Sequence, residues 1–175
     1  MNELLAQNAH EFSAFLGLIL GKRSLLEIGS RYGESLKMMA RYLRPWSKVV
    51  SIDVGYDVEH PTENTLERLN QNISELKTFS DVTLIIGDSH DKAVVERVRN
   101  IGPFDIVFID GDHSMTGVSK DFENYGPMGK IVAFHDIKLE TIAPLWQKLK
   151  EGRRWMEIND SATDVCMGIG VVFND

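Results

Sequence analysis

The sequence predicts an α/β domain whose mostly parallel sheet is covered by helices on both faces. Three observations carry this expectation. Strand-like runs alternate with amphipathic stretches along the chain. Several of the strands are continuous apolar runs, the pattern of strands buried on both sides. The last two strands are separated only by "DSATDVC", too short for a crossover helix, so they pair as a hairpin or leave the alternating order.

Taken in order, residues 1–22 form an N-terminal helical segment of the single domain expected over residues 1–175. The run "AFLGLILG" lies within it, but Glu3, Glu11 and the missing basic start argue against a secretory signal. It is expected to be a helix end, with Phe12, Phe15, Leu16 and Leu18 packing on the domain or forming a contact surface. "SLLEIG" (24–29) is the first strand. "ESLKMMARYL" (34–43) follows as a helix, with Leu36, Met39, Ala40 and Leu43 at helical spacing before Pro45. "KVVSIDV" (48–54) is the second strand. Residues 62–77 are a helix with Leu66, Leu69, Ile73 and Leu76 on one face. "VTLIIGDS" and "DKAVVERVRN" are the third strand and its helix. "FDIVFIDGDH" and "GKIVAFHDI" are strands four and five, with no element assigned between them. "TIAPLWQKLK" is a helix whose start is set near Pro144. "RWMEIN" and "MGIGVVFN" are the two last strands.

The chain of 175 residues is 43% hydrophobic and carries a net charge of −7. That balance argues against general nucleic-acid binding, which needs a basic face, and is compatible with a cationic ligand. The one cysteine, Cys166, is expected to be a small core residue in a reducing cytoplasm. No run approaches the roughly 18 apolar residues that span a membrane. Trp146 and Trp155 are expected to pack in the core or at its edge, and His60 and His90 to be solvated.

In such a sheet the chemistry gathers at the carboxyl ends of the strands. Five of those ends carry acids: Glu27, Asp53, Asp88, Asp110 with Asp112, and Asp136. Each alone is an ordinary turn or cap residue. Together on one rim they would repel, so a cation is expected among them. The first loop, Gly29-Ser30-Arg31-Tyr32-Gly33, lacks the middle glycine of a dinucleotide fingerprint, and a carboxylate precedes it by two residues. Both features disfavour a phosphate and suit S-adenosylmethionine, which carries a sulfonium and an ammonium. Asp53 stands twenty residues past Gly33, where an acid can accept two ribose hydroxyls. Arg31 either pairs with a cofactor carboxylate or lies on the surface.

The segments "LLEIGSRYGES", "VVSIDVG", "IIGDSHD", "FDIVFIDGDHSMTGVSKDFENY" and "GKIVAFHDI", in this order, resemble a class I S-adenosylmethionine-dependent methyltransferase. The nearer resemblance is to the catechol, caffeoyl-CoA and macrolide-sugar O-methyltransferases, over about residues 24–173. It implies a Rossmann-like three-layer sandwich with seven strands, mostly parallel, the last antiparallel. It also implies that Glu27, Gly29, Ser30 and Gly33 line the methionine end of the cofactor and that Asp53 binds the ribose. Val54 would pack on the adenine, and Asp88 and Ser89 would sit against it, with Asp110 also near the cofactor; Asp88 has the alternative role of a helix cap.

In the metal-dependent branch an acid after strand four and two residues after strand five hold magnesium. The matching positions are Asp110, His135 and Asp136. His135 departs from the acid expected there, so either a softer ion such as manganese is bound, or His135 is not a ligand and Asp112 replaces it. If the acceptor is a hydroxyl it must lose a proton, for which His113, then His135, is the candidate base, with Asp110 beside them. The alternative role for His113 is to fix its loop. The acceptor is expected to be a small molecule, with a sugar-like group a candidate. Because the N-terminal piece and later loops are short, a second subunit or a larger partner would complete its pocket. A catalytically silent cofactor-binding subunit is the other functional reading; it would need Glu27, Gly29 and Asp53 but not the Asp110, His113, His135 and Asp136 set.

Overall fold

The structure, a computed structural model, describes residues 9–57, 64–159 and 167–174. The positions of His60, Cys166, the 160–166 connection and the first residues of the expected 62–77 helix fall outside these. Seven strands form one sheet in the order β3-β2-β1-β4-β5-β7-β6. They are β1 (Ser24–Ile28), β2 (Lys48–Asp53), β3 (Asp81–Ile86), β4 (Phe104–Ile109), β5 (Gly129–Phe134), β6 (Arg154–Ile158) and β7 (Ile169–Phe173). The helices are α1 (Ala9–Ile19), α2 (Glu34–Tyr42), α3 (Thr65–Leu76), α4 (Lys92–Ile101), α5 (Met115–Tyr125) and α6 (Ala143–Lys150). Strands β1 to β5 pair in parallel, and β7 runs antiparallel to both β5 and β6. The last two strands thus pair with each other, and β7 inserts between β5 and β6. Among the described residues, no helix is long and apolar enough to cross a membrane.

Strand alternation divides the core into two layers. Leu25, Val49, Ile106, Phe108, Ala133 and Val171 face α1, α2 and α3; Leu26, Val50, Ile52, Val107, Val132 and Val172 face α4, α5 and α6. Each central strand is buried on both sides, which is why its sequence is a continuous apolar run. The N-terminal segment packs rather than projects: Phe12, Phe15, Leu16 and Ile19 are buried, and the Phe15 ring lies 5.2 Å from that of Phe108. Trp146 is buried against Phe134, and Trp155 packs edge-on against it at the sheet margin.

The segment left unassigned by the sequence is α5. Its periodicity is genuine, with Gly117, Val118, Asp121 and Tyr125 on the buried face. The two polar or glycine positions on that face mask its apolar pattern. Its start is well built: the Ser114 hydroxyl accepts from Gly117 N at 3.0 Å, and Asp112 Oδ1 accepts from Ser114 N at 2.8 Å.

Candidate functional site

The strand order reverses between β1 and β4: β2 and β3 lie to one side of β1, β4 and β5 to the other. Ligand crevices of open α/β sheets form outside the strand ends at such a point. Here Gly29 N donates to Ile52 O and Asp110 N to Ile28 O, both at 2.9 Å, so the strand ends stay together beyond the sheet. Gly29 has φ 84°, and a Cβ on it would lie 2.3 Å from the Asp110 carbonyl oxygen. Only glycine fits this left-handed turn and close approach.

Glu27 does not stand at the loop mouth. It lies within β1, fully buried, on the face turned to α2. Its Oε2 accepts from the Ser30 hydroxyl at 2.5 Å and its Oε1 from Ser35 at 2.7 Å, and Ser51 lies 2.7 Å from Ser30. Burial pushes its carboxyl up to about 8, against the opposing effect of the two hydroxyls. A neutral acid is the favoured state there at pH 7. Ser30, equally buried, is engaged in this polar slot. Gly33 closes the loop at φ 81°, its N donating to Ser30 O.

Asp53 ends β2 on the same face. Its Oδ2 accepts from Arg31 N and its Oδ1 from Gly55 N, both at 2.7 Å. Burial raises its pKa, and the backbone donors work against that rise. The bond to Asp53 holds Arg31 at φ 49°, and its side chain pairs with Asp57 at 2.6 Å. Val54, beside it, is 41% exposed and available to a flat ligand.

Asp88, Ser89 and His90 form the turn after β3. Asp88 is not the cap of α4; Asp91 is, accepting from Ala93 N at 2.8 Å. Asp88 Oδ1 instead accepts from His90 N at 2.8 Å. Ser89 donates to Asp121 Oδ1 at 2.7 Å. His90, expected to be solvated, is half-buried, because its ring tucks against α5 with Nε2 3.2 Å from Gly117 O.

The fourth and fifth strand ends bring Asp110, His113, His135 and Asp136 together. His135 is buried, and its Nδ1 donates to Asp136 Oδ1 at 2.8 Å and lies 3.3 Å from Asp110 Oδ1. Burial alone would lower its pKa, but the Asp110 charge and the two carboxylate hydrogen bonds raise it to about 10. Burial works to raise Asp110, yet the His135 charge and the hydrogen bonds from His113 and His135 hold it at about 2. His113 is half-exposed, with Nε2 3.5 Å from Asp110 Oδ1 and 3.4 Å from Asp136 Oδ2. The hydrogen bond to Asp110 raises its pKa, against partial burial. Asp136 adopts φ 56°, a turn that aims its carboxylate back at the cluster.

Asp110, His113 and Asp136 each offer a ligand atom, and these atoms lie within 4.8 Å of one another. His113 therefore takes the open position in the group with the two acids, while His135 Nδ1 faces them from below carrying a proton. Asp112 is turned away to start α5.

Sequence reasoning did not single out Ser35, Ser51, Asp57 or Asp121. Ser51 was legible as the neighbour of Glu27 in register, since buried polar groups inside apolar strands need partners; it reaches Glu27 through Ser30. Asp121 needed α5 to be recognised first.

A methyltransferase-domain family model matches residues 26–137, more than half of the chain. A search of curated proteins gave no match. Among solved structures, cofactor-bound Rv0187 from MTB is similar with TM-score 0.73 and 20% identity, over 99% of this chain and 83% of that one. The O-methyltransferase TomG from Streptomyces achromogenes, in complex with SAM, gives TM-score 0.73 and 18% identity over 97% and 81%. A caffeoyl-CoA O-methyltransferase-like structure from Staphylococcus aureus gives 0.71 and 17% over 99% and 87%. The family model thus assigns the chain to the methyltransferase-domain family, and its seven-stranded sheet with the reversed last strand has the class I S-adenosylmethionine-dependent methyltransferase fold of these structures.

Proposed function

We propose that this protein transfers a methyl group from S-adenosylmethionine to a hydroxyl oxygen of a small molecule, with the assistance of a divalent cation. The observation that carries the reading is the meeting of Asp110, His113 and Asp136 at the strand ends beside the Gly29 turn. A binding subunit without chemistry has no need of that group, which favours the enzyme over the silent alternative.

The residues fit the cofactor in kind. Asp53, whose oxygens accept from the backbone N–H groups of Arg31, Gly55 and Ser30, retains lone pairs for a ribose diol. Asp88 and Ser89 lie one strand further out, at the adenine end. Gly29, Gly33 and Ser30 shape the turn at the methionine end, and Glu27 supports it from behind through Ser30 and Ser35. An acceptor-rich rim suits a ligand with a sulfonium and an ammonium.

The donor set also fits a cation: two carboxylates and one imidazole suit manganese better than magnesium, which prefers oxygen throughout. Asp110, His113 and Asp136 would hold it, or His135 in place of His113 once its proton is lost. Such an ion lowers the pKa of a hydroxyl bound to it. The chain itself aligns the reacting groups and removes the hydroxyl proton. Where His135 takes its place as the ligand, His113 is left as the half-exposed base able to take that proton, and the flanking Asp110 and Asp136 increase its proton affinity. The products are then S-adenosylhomocysteine, the methyl ether and a proton on His113. The protein acts as a single domain in the cytoplasm, and a second copy or a larger partner completes the acceptor pocket.

Calorimetric titration with S-adenosylhomocysteine, with and without manganese or magnesium, tests this reading. Binding to the wild type, at least tenfold weaker in Asp53→Ala, is expected, together with a metal heat lost in Asp136→Ala. Absence of S-adenosylhomocysteine binding under every condition would remove the function. Cofactor binding without any metal heat would leave a metal-independent transferase.

A further inference from the structure

Asp121 is a buried acid that the chemistry at Asp110 does not use. It lies on the sheet-facing side of α5, with no exposed surface. Its Oδ1 accepts the Ser89 hydroxyl at 2.7 Å and lies 3.3 Å from His90 Nε2. Its Oδ2 has no hydrogen-bond partner among the described residues and lies 3.7 Å from where a Cβ on Gly111 would stand. A carboxylate in that state is costly to bury. Burial raises its pKa, but Oδ1 remains an acceptor whether or not Oδ2 carries a proton.

The consequence lies in the turn after β3. The Ser89 hydroxyl has one proton, and Asp121 takes it, so the oxygen can only accept from any further partner. His90 Nε2 faces two acceptors, Gly117 O at 3.2 Å and Asp121 Oδ1, so the ring carries its proton on that nitrogen. Nδ1 stands 3.6 Å from Asp88 Oδ1, beyond hydrogen-bond range. The Ser89 carbonyl is pinned from below by the Tyr125 hydroxyl at 2.6 Å, which fixes the turn to α5. Asp88 and Ser89 thus present acceptors in succession, and the acid that makes Ser89 one is Asp121.

We propose that Asp121 is a positioning residue that sets the base preference of the cofactor site, by turning the Ser89 hydroxyl into an acceptor for an exocyclic amino group. The ligand feature recognised is the 6-amino group of a purine, and a 6-oxo purine, which presents an acceptor and a ring N–H there, is refused. The proposal rests on the cofactor reading above, in which this turn meets the adenine.

The test compares S-adenosylhomocysteine with its 6-oxo analogue, S-inosylhomocysteine, by calorimetry. Wild type is expected to prefer the amino compound by at least thirtyfold. In Asp121→Asn the carboxamide can donate to Ser89, releasing the hydroxyl proton, and the preference should fall at least tenfold while the melting temperature changes little. Asp121→Glu should restore part of it, which a merely structural role would not do. Ser89→Ala, which leaves α5 untouched, should also reduce the preference and decides the matter if Asp121→Asn does not fold. Equal binding of both compounds to wild type, or an unchanged preference in Ser89→Ala and Asp121→Asn, would overturn the inference while leaving the cofactor site intact. Binding of neither compound would instead remove the reading on which it rests.

Discussion

Glu27→Gln isolates the electrostatics of the polar slot beneath the Gly29 turn. The substitution keeps the shape and lets an amide replace a carboxylic acid that accepts from Ser30 and Ser35. Burial lifts the Glu27 pKa from 4.5 to about 8 in the folded protein. The unfolded chain loses this proton near pH 4.5, whereas the folded chain keeps it to about pH 8. Folding therefore takes up a proton between those values, and the stabilisation present below pH 4.5 is lost progressively as pH rises through the folded pKa. The slope is about 1.4 kcal/mol per pH unit for one proton. Between pH 6 and pH 8 the wild type should lose about 2 kcal/mol through this group, which the variant cannot lose. Urea melts of both proteins at pH 5, 6, 7 and 8, without cofactor, measure the difference directly. Subtracting the two curves cancels the titration of His135 and Asp110, which both proteins share. Parallel curves would refute the reasoning, because they would mean that Glu27 is ionised in the folded protein at neutral pH.

Gly29→Ala should destabilise the fold by about 3 kcal/mol or more, since its Cβ would collide with the Asp110 carbonyl oxygen at a positive φ; a thermal melt within a degree of wild type would contradict that contact. Asp110→Asn leaves the buried His135 charge with Asp136 alone and should cost about 3 kcal/mol at pH 7 by denaturant melts. Because His135 sits at about 10 in the fold against 6.5 unfolded, its stabilisation is complete below pH 6.5 and lost as pH rises toward 10. The variant should show a shallower decline over that window. Phe15→Ala empties a site shared with Phe12 and Phe108 and should cost about 3–5 kcal/mol by the same measurement; a loss under about 1 kcal/mol would mean that α1 is only loosely docked.

The strands were legible because the central ones are buried on both faces and leave a continuous apolar signature, as in "VVSID" and "IVFID". Their carboxyl ends were legible for a related reason. A strand of Ile and Val that stops on Asp marks where the chain emerges into a polar crevice, and Asp53, Asp110 and Asp136 all proved to lie there. The helix α5 was not legible in the same way. Its buried face carries Gly117 and Asp121, so the apolar stripe that announces α2 and α3 is broken there.

The sequence by itself determined the layered fold, the break in alternation at the last two strands and the gathering of acids on one rim, because these follow from local periodicity and from connection length. Tertiary structure alone decided what each acid does. Glu27 and Asp53 share a face of the sheet and burial raises the pKa of both, yet serine hydroxyls oppose that rise in the first and backbone N–H groups in the second. His113 and His135 are both histidines after a strand, yet one is half-exposed and the other buried and protonated between two carboxylates. Desolvation and the distance to the next charge set those differences, and neither is written in the order of residues along the chain.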